Sequence, residues 1–419
     1  MSVEMKDSGI AWIGEIPKHW NTIKLGDLYS QRKEKVSDKD FPPLSVTMQG
    51  ILPQLETAAK TDDGDNRKLV RIGDFAINSR SDRRGSCGIS LYDGSVSLIN
   101  TVLVPRNEMN PNFYNWLFHT SLFADEYYKW GHGIVDDLWT TKWQEMKNIS
   151  VVAPDLVEQS RIANFLDKKC VEIDELIALQ NQMIAQLSTY KQAVITETVT
   201  KGLDSNVKMK DSGVEWIGEI PEHWEVKRLK YVSNISRGLF NHRPRNDERY
   251  YGGIHPFIQT GDVARSNKYI KSYSQTLSDL GISVSKLFPK GTLTMTIAAN
   301  VGDVSILGFN AYFPDSVLGI IPASHVDNIF LYYALKAMKG EFVNAAIVST
   351  QLNLNIERVY NMKAVMPPLS EQQTIAKYLD QKCKDIDELI SVKKEKIEQL
   401  KAYKKSVIFE YVTGKKQVN

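Results

Sequence analysis

Two stretches of this sequence occur twice, and that repeat constrains the fold more than any other feature. Residues 5–20 read MKDSGIAWIGEIPKHW, and residues 209–224 repeat them with three substitutions in sixteen positions. Residues 154–177 (PDLVEQSRIANFLDKKCVEIDELI) return as residues 367–390 (PPLSEQQTIAKYLDQKCKDIDELI). The chain is therefore a tandem duplication whose seam lies between residues 154 and 224. We expect one architecture to be built twice.

The composition is that of an ordinary folded protein with more than one domain. A chain of 419 residues exceeds the usual size of a single core, and 42% of its residues are hydrophobic. The net charge of +2 is too small to attract nucleic acid through bulk electrostatics, so binding cations would have to be placed locally. The start of the chain has no signal segment, no run is long enough for a membrane span, and the three cysteines lack metal-type spacing. These features predict a cytoplasmic protein without a membrane partner, in which Cys170 and Cys383 are packing residues.

Between the repeated stretches the pattern predicts strands mixed with helices. In the first interval, residues 69–78, 88–105 and 149–154 predict strands, and residues 112–130 predict an aromatic amphipathic helix. In the second interval, residues 254–263 and 291–307 predict strands and residues 327–339 a helix. We therefore predict an α+β fold with two globular domains, residues 1–154 and 205–367. His19 and His223 occupy equivalent positions without a second ligand nearby, which favours hydrogen-bonded structural histidines.

Each repeated helix-start motif opens a long amphipathic helix, predicted at residues 155–204 and 368–419. Asp155 with Glu158, and Ser370 with Gln373, fit capping boxes. About forty helical residues would extend about 60 Å. Because a lone helix with one apolar face is unstable in water, we expect the two helices to pack antiparallel and to return the carboxyl end to the first domain. The predicted packing residues, at spacings of three and four, are Ile162, Leu166, Ile173, Leu176, Ile177, Ile184 and Leu187, and Ile375, Leu379, Ile386, Leu389, Ile390, Ile397 and Leu400.

The sequence carries no recognisable catalytic motif. There is no GxxxxGK[ST] phosphate loop and no glycine-rich dinucleotide fingerprint. The Asn-Pro-Pro-aromatic tetrad with which amino-methyltransferases hold a flipped base is also missing. The sequence MPPL at residues 366–369 shares only the two prolines with it. We therefore predict no catalytic residue, no metal site and no cofactor in this chain.

Polar and basic loops stand at comparable places in the two intervals but differ in sequence. The loop at residues 78–85 carries arginines, which bind guanine or phosphate, whereas its counterpart at residues 296–302 has none. A later pair of loops spans residues 130–142 and 349–355, where asparagine and glutamine could contact adenine. Each loop alone is also compatible with an ordinary solvated loop. The candidate DNA-binding residues are Arg80, Arg83, Arg84, His132, Thr140, Thr141 and Lys142, and Arg237, Asn241, Arg243, Arg245, Asn300, Thr350, Gln351 and Asn353.

The motifs DSGxxWIGEIPxHW, PPLSEQxxIAxYLDxKCxxIDELI and LxxYKxxVI resemble those of the specificity subunit of type I restriction–modification systems. The resemblance covers essentially the whole chain. It implies two target-recognition domains that each read one half of a split, asymmetric sequence in double-stranded DNA, separated by two helices that set the unread spacer. It also implies that two methyltransferase subunits and motor–nuclease subunits are partners. S-adenosylmethionine, ATP and Mg would then belong to those partners, and this chain would catalyse nothing.

Two alternatives remain open from the residues alone. The first is a structural adaptor that pairs two protein ligands without DNA. The second is a self-contained methyltransferase, which the missing cofactor and Asn-Pro-Pro motifs disfavour. An adjacent adenine methyltransferase gene beside a helicase–nuclease gene would favour the DNA-reading interpretation over both.

Overall fold

The computed structural model describes residues 4–54, 64–106, 109–133, 139–348 and 352–418. Its internal contacts divide the chain into two units. The first comprises Met1–Asn181 and Lys394–Asn419, and the second comprises Gln182–Lys393. Each unit therefore contains one globular α+β domain and a segment of each long helix.

The first unit is built on a four-stranded antiparallel sheet in the order Cys87–Ile89, Phe75–Asn78, Asn100–Pro105, Tyr29–Gln31. Aromatic side chains of the following helices pack against this sheet, with the rings of Phe75 and Phe118 5.0 Å apart. The other strands are Met5–Asp7, Glu15–Pro17, Asn21–Lys24, Lys35–Val36, Leu44–Thr47, Gly50–Pro53, Arg67–Val70, Gly94–Val96 and Ser150–Ala153. The short helices are Leu25–Leu28, Pro111–Phe118, Ser121–Lys129 and Trp143–Met146.

The second unit repeats this sheet and extends it. Its five-stranded sheet has the order Ser233–Arg237, Val317–Pro322, Leu293–Thr296, Val304–Leu307, Tyr269–Ile270, and a second sheet has the order Gln275–Leu277, Tyr251–Phe257, Ala311–Tyr312, Leu287–Phe288. The other strands are Met209–Asp211, Glu219–Pro221, Glu225–Arg228, Ile347–Val348, Leu352–Asn353 and Lys363–Met366. The short helices are Leu229–Val232, Thr260–Arg265, Asp279–Ser283, Asn328–Ala337, Lys339–Ala345 and Ile356–Asn361.

The four shared strands follow one another in the same spatial order in both units, although their sequences have diverged. In each unit a strand of four buried residues, Phe75–Asn78 or Leu293–Thr296, lies inside the sheet. The loop that follows this strand is where the two sequences differ in arginine content. The predicted α+β class with an internal repeat is confirmed.

Four predicted elements are divided or cut short in the structure, one of them the strand predicted at residues 291–307, which forms two strands, Leu293–Thr296 and Val304–Leu307. The helix predicted at residues 112–130 breaks at His119, because the Thr120 side chain caps a new helix by accepting from Phe123 N at 3.2 Å. The strand predicted at residues 69–78 is interrupted by a turn containing Gly73, whose φ is +87°. The strand predicted at residues 254–263 ends at Phe257, and Gln259 with Asp262 forms a capping box for the helix Thr260–Arg265.

The two long helices run from Leu156 to Lys201 and from Leu369 to Val412. In the first unit they pair antiparallel, with the rings of Phe165 and Tyr411 4.4 Å apart and Lys404 Nζ 2.7 Å from the Asp174 carboxylate. The repeat of that ion pair, Lys191 with Asp387 at 2.7 Å, joins the helices in the second unit. The predicted antiparallel pairing is confirmed within each unit.

Burial of the predicted apolar stripe is uneven. Ile162, Leu166, Ile173, Ile375, Leu379, Ile386 and Ile397 are buried, and Ile177, Ile184, Leu187, Ile390 and Leu400 are half-buried. Leu176 and Leu389 are 46% and 51% exposed, so the prediction that they pack against the other helix is wrong. Each precedes a half-buried isoleucine by one position and is therefore turned by about 100° around the helix, away from the narrow stripe that one neighbouring helix covers.

The helix starts differ from the predicted capping boxes. Asp155 does cap the first helix, accepting from Glu158 N at 2.8 Å, but the Glu158 side chain does not complete the box. The second helix begins at Leu369, one residue before Ser370, so the box predicted from Ser370 and Gln373 is wrong. Gln372 and its repeat Gln159 act there instead. Each donates to the carbonyl of the proline five residues earlier, at 2.8 and 2.7 Å, and accepts a main-chain N–H of its own domain at 2.8 Å.

A repeated arrangement, which we call the His–Trp clamp, joins each domain to the start of a long helix. Glu158 Oε2 accepts from Trp20 Nε1 at 2.8 Å and lies 3.0 Å from His19 Nε2. Glu371 makes the same contacts with Trp224, at 2.9 Å, and His223, at 2.8 Å. The prediction of structural histidines is thus confirmed, and neither histidine contacts a second candidate ligand within the described residues.

The ends of the long helices return to the same clamps. Lys415 Nζ donates to Ile13 O at 2.8 Å, so the carboxyl end of the chain contacts the first domain as predicted. Gly414, at φ +71°, lies so close to Pro17 that a Cβ atom there would come within 2.4 Å of Pro17 Cδ. In the second unit, Gly202 packs against Trp224 in the same way. Each clamp therefore fixes the beginning of one long helix and the end of the other.

Among the described residues, no helix combines the length and the apolar character that crossing a membrane requires. All three cysteines are free thiols and buried. Burial raises the pKa of Cys170 to about 11 and also raises the pKa of Cys383. Both belong to the hydrophobic cores, in agreement with the predicted packing role.

Candidate nucleic-acid interface

The two candidate loops of the first domain meet at one edge. Arg80 forms an isolated β-bridge with Thr140, which also bridges to His132. Two further main-chain hydrogen bonds join the segments, from Ser81 N to Trp139 O and from Thr141 N to Ser79 O, both at 3.0 Å. Residues far apart in sequence thus form one surface directly after the buried strand Phe75–Asn78.

The arginines of this surface differ in what already binds them. Arg80 Nε lies 3.2 Å from Asp82, and Arg84 forms an ion pair with Asp125 while its guanidinium lies over the Tyr128 ring. Arg83 is 68% exposed, and its closest carboxylate oxygen, on Asp82, is 3.9 Å away. Because that distance is too long for a hydrogen bond, Arg83 keeps its planar set of donors available for a guanine edge or a phosphate.

Other candidates of the first domain have distinct positions. His132 and Lys142 are exposed, and Thr140 is half-buried. Thr141 is fully buried, its hydroxyl donating to Tyr127 O at 2.9 Å, so the prediction that it contacts DNA is wrong. A threonine that anchors the loop from below cannot reach a base edge.

The second domain brings its corresponding loops together in the same way. Ala298 forms an isolated β-bridge with Asn353, and Leu354 N donates to Ile297 O at 2.8 Å. Ala298 thus takes the place that Arg80 has in the first domain, and Asn353 the place of Thr140. Asn300 and Asn353 are exposed. Thr350 and Gln351 lie outside the described residues.

A basic segment borders this surface. Arg237 ends the strand that pairs with Val317–Pro322, opposite Leu318, and Ile297 N donates to Ser316 O at 3.0 Å, so both lie near the same sheet end. Arg237 is exposed, and none of the hydrogen bonds or ion pairs among the described residues involves its guanidinium. Arg245 is held by Asp315 at 2.8 Å, and Arg243 by the carbonyl oxygens of Phe240 and His242. Asn241 is exposed beside them.

A cavity of about 640 Å³ lies next to this segment, within the second domain. Stacked rings, Phe240 and Tyr251 at 5.5 Å, form part of its wall, and Arg245, Gln259, Gln275 and Ser316 supply polar groups. The cavity lies beside the four-stranded sheet that contains Tyr251–Phe257 and Gln275–Leu277. It enlarges the polar surface beside the bridged loops.

The sequence did not reveal two sets of residues that position the domains and the loops. Glu158 and Glu371 hold the clamps, and their only signal was identity at the same position of the repeated helix-start motif. Trp139 lies within the predicted loop at residues 130–142, yet it donates to Tyr128 O at 2.8 Å and packs so closely on Gly131 that a Cβ there would lie 2.3 Å from the indole. Such a contact between positions 131 and 139 leaves no periodic trace in the sequence.

The described polar side chains of the two surfaces are not arranged as metal ligands. Within residues 4–54, 64–106, 109–133, 139–348 and 352–418, no group of three or more His, Cys, Asp or Glu side chains is placed to hold a metal ion. What the two surfaces have in common is a pair of segments joined by a β-bridge and carrying exposed cations, amides and hydroxyls. That chemistry suits the recognition of base edges and phosphates.

Comparison with known proteins finds similar sequences of one kind. Residues 221–400 match the family model described as the type I restriction modification DNA specificity domain. Two proteins of Methanocaldococcus jannaschii are each 26% identical to this chain. The alignment with the putative type I restriction enzyme MjaX specificity subunit covers 97% of this chain and 96% of that protein. The alignment with the MjaVIII specificity subunit covers 96% and 94%.

Solved structures show the same fold. A chain from a study of the assembly and conformational transition of the type I R-M system matches with a TM-score of 0.72 at 16% identity, covering 95% of this chain and 98% of that one. The HsdS subunit from Thermoanaerobacter tengcongensis matches with a TM-score of 0.53 at 17% identity, over 95% and 98% of the two chains. With its internal repeat and its two loop-bearing domains, this chain is similar over nearly its whole length to specificity subunits of type I restriction–modification systems.

Proposed function

We propose that this chain reads a bipartite, asymmetric DNA sequence, one half with each domain, for a type I restriction–modification complex. The observation that carries the proposal is the repeated pair of bridged loops, Arg80 with Thr140 and Ala298 with Asn353. The same scaffold position holds different chemistry in the two domains. A reader with identical loops would favour a symmetric target, whereas these loops favour two different half-sites.

The chain contributes recognition and no catalysis to that complex. In this proposal S-adenosylmethionine is bound by methyltransferase partners, and ATP and Mg by motor–nuclease partners. The small net charge of +2 supports such a division, because partners would supply many of the phosphate contacts that hold the duplex. The complex acts in the cytoplasm, where the cell's DNA lies.

Exposed apolar residues on the long helices support the binding of two copies of one partner. Leu176 and Leu179 are exposed on the first helix, and their repeats Leu389 and Val392 are exposed on the second. Tyr190 and its repeat Tyr403 are each 49% exposed. Exposed apolar groups that recur through a duplication favour one kind of partner bound twice, and we assign this surface to two methyltransferase subunits.

The long helices would also set the spacer between the half-sites. Half-sites read from one side of B-DNA lie about 34 Å apart per helical turn. A rigid paired helix is suited to fix such a distance, because it resists bending over many turns. We expect four residues inserted into one long helix to change the preferred spacer while leaving both half-sites unchanged.

The test is a map of adenine methylation in cells with and without this chain, its methyltransferase partner being present in both. We expect one bipartite motif that disappears when the chain is absent. Purified chain alone should bind its site weakly and should neither methylate nor cut it. Methylation or cleavage by the chain alone, or a methylation map that does not change, would overturn the proposal. The second outcome would favour a protein adaptor that does not read DNA.

A further inference from the structure

The second domain exposes two primary amides on adjoining segments. Asn300 lies in the turn between Leu293–Thr296 and Val304–Leu307, and Asn353 lies across the β-bridge from Ala298. Bridged residues of antiparallel segments have Cα atoms about 5 Å apart. Within the described part of the chain, no hydrogen bond is formed by either side-chain amide, and both residues are exposed.

Several other asparagines at turns of this protein accept a main-chain N–H. Asn355 accepts from Glu357 N at 3.0 Å, Asn110 accepts from Asn112 N at 2.9 Å, and Asn310 accepts from Lys290 N at 2.8 Å. Turn asparagines normally bond to the local backbone in this way. Asn300 and Asn353 therefore keep both a donor and an acceptor for a ligand.

The turn that carries Asn300 is held rigidly by its own backbone. Asp303 N donates to Thr296 Oγ1 at 3.1 Å, Gly302 N donates to Thr296 O at 2.9 Å, and the Thr296 hydroxyl donates to Asn300 O. Ala299 has a φ of +62°, a left-handed conformation that is unfavourable for alanine. A strained non-glycine residue at an exposed tip indicates that its methyl group or the exact path of the chain is used.

The chemistry of this tip fits an A·T base pair in the major groove. An asparagine amide pairs with adenine by accepting from N6 and donating to N7, and alanine methyl groups pack against the thymine methyl. The first domain has Arg80 and Thr140 at the bridged positions, which suit other base edges. The amide pair is therefore specific to the second domain.

We propose that Asn300 and Asn353 determine specificity by reading adenine in the half-site bound by the second domain, with the Ala299 methyl group against a thymine methyl. This inference rests on the proposed function and adds the class of base and the residues that read it. The adenine concerned stays stacked in the duplex, because the amides reach its groove edge.

The experiment uses the chain in complex with its methyltransferase partner and duplexes carrying its methylated motif. Each adenine of the motif is replaced in turn by 7-deazaadenine, which lacks the N7 acceptor but still pairs with thymine. Dissociation constants are measured for the natural chain, Asn300→Ala and Asn353→Ala. The control is Asn361→Ala, because that amide donates to Glu357 O on a short helix away from the loops.

For the natural chain and the control, we expect one adenine of one half-site at which 7-deazaadenine weakens binding about 5- to 150-fold. That loss should shrink to less than twofold in at least one of the two loop variants. Ala299→Gly removes the methyl group, and glycine adopts this φ without strain, so the domain should still fold. The substitution should abolish the effect of replacing the adjacent thymine by uracil.

Two results would overturn the inference. One is a penalty for 7-deazaadenine that stays the same in both loop variants. The other is a penalty confined to the half-site that the Arg83→Ala change relaxes, since that half belongs to the first domain. If the natural complex bound no bipartite sequence at all, the proposed function itself would fail, and that outcome is recognised before any variant is compared.

Discussion

Replacing Glu158 by alanine removes the acceptor that Trp20 and His19 share. The Glu158 side chain is only 8% exposed and Trp20 is 1% exposed, so the indole N–H would be left buried without an acceptor. His19 is half exposed and would regain water. Losing a charge-assisted hydrogen bond and leaving a buried donor unsatisfied costs about 2–3 kcal/mol.

The duplication supplies a matched comparison at Glu371. Trp224 is as buried as Trp20, and Glu371 holds it and His223 at the same distances within 0.2 Å. Glu371 itself is 42% exposed, so water at its position can take over as the acceptor. We therefore expect Glu371→Ala to cost about 1 kcal/mol. Glu158→Gln keeps an oxygen acceptor of the same shape and should cost less than Glu158→Ala.

Hydrogen exchange measured by mass spectrometry resolves both clamps in one experiment, because each repeat is the internal control for the other. Glu158→Ala should accelerate exchange in residues 154–166 about 30- to 150-fold and leave residues 367–379 unchanged. Glu371→Ala should accelerate exchange in residues 367–379 about fivefold. Equal effects of the two substitutions, or a larger effect at Glu371, would show that burial of the glutamate does not set the strength of the clamp.

Two further predictions concern the long helices and the end of the chain. Gly414→Ala should loosen the carboxyl end, because the added Cβ would lie 2.4 Å from Pro17 Cδ and alanine disfavours a φ of +71°. Carboxypeptidase should then digest the carboxyl end faster, and an unchanged rate of digestion would contradict this prediction. Cys170 and Cys383 should react slowly with iodoacetamide at pH 8, because burial raises their pKa and keeps the thiols protonated. The rate of alkylation of Cys170 should rise with pH up to about 11. It should equal the rate of a free thiol once the chain is unfolded in urea. Fast alkylation of the folded chain would contradict the burial of these thiols.

The repeated parts of the fold were predictable because duplication doubles every signal. The register of the long helices followed from apolar residues at matching positions, and the return of the carboxyl end followed from pairing them antiparallel. The elements between the repeated stretches were harder to predict. Thr120 could have continued a helix by periodicity, and only its capping hydrogen bond to Phe123 N divides that helix in two. A local capping hydrogen bond and the continuation of a helix differ by so little free energy that the hydrophobic pattern alone does not decide which one forms.

The candidate interface was predictable in location but less so in detail. Loops that follow equivalent buried strands were expected to be equivalent, and the bridges of Arg80 and Ala298 agree with that expectation. Which side chain is free could not be read from sequence, because it depends on contacts with distant residues. Arg84 has Asp125, Arg245 has Asp315, and Thr141 is buried under Tyr127, whereas Arg83 keeps its donors available.

In the proposed function, each domain reads one half of the target independently of the other. Adenine-methylation maps of cells carrying Arg83→Ala or Arg237→Ala distinguish the two halves. We expect a motif that stays bipartite with its spacer unchanged, in which Arg83→Ala relaxes one half and Arg237→Ala relaxes the other. Equal degeneration of both halves by either substitution, or a single continuous motif, would contradict it.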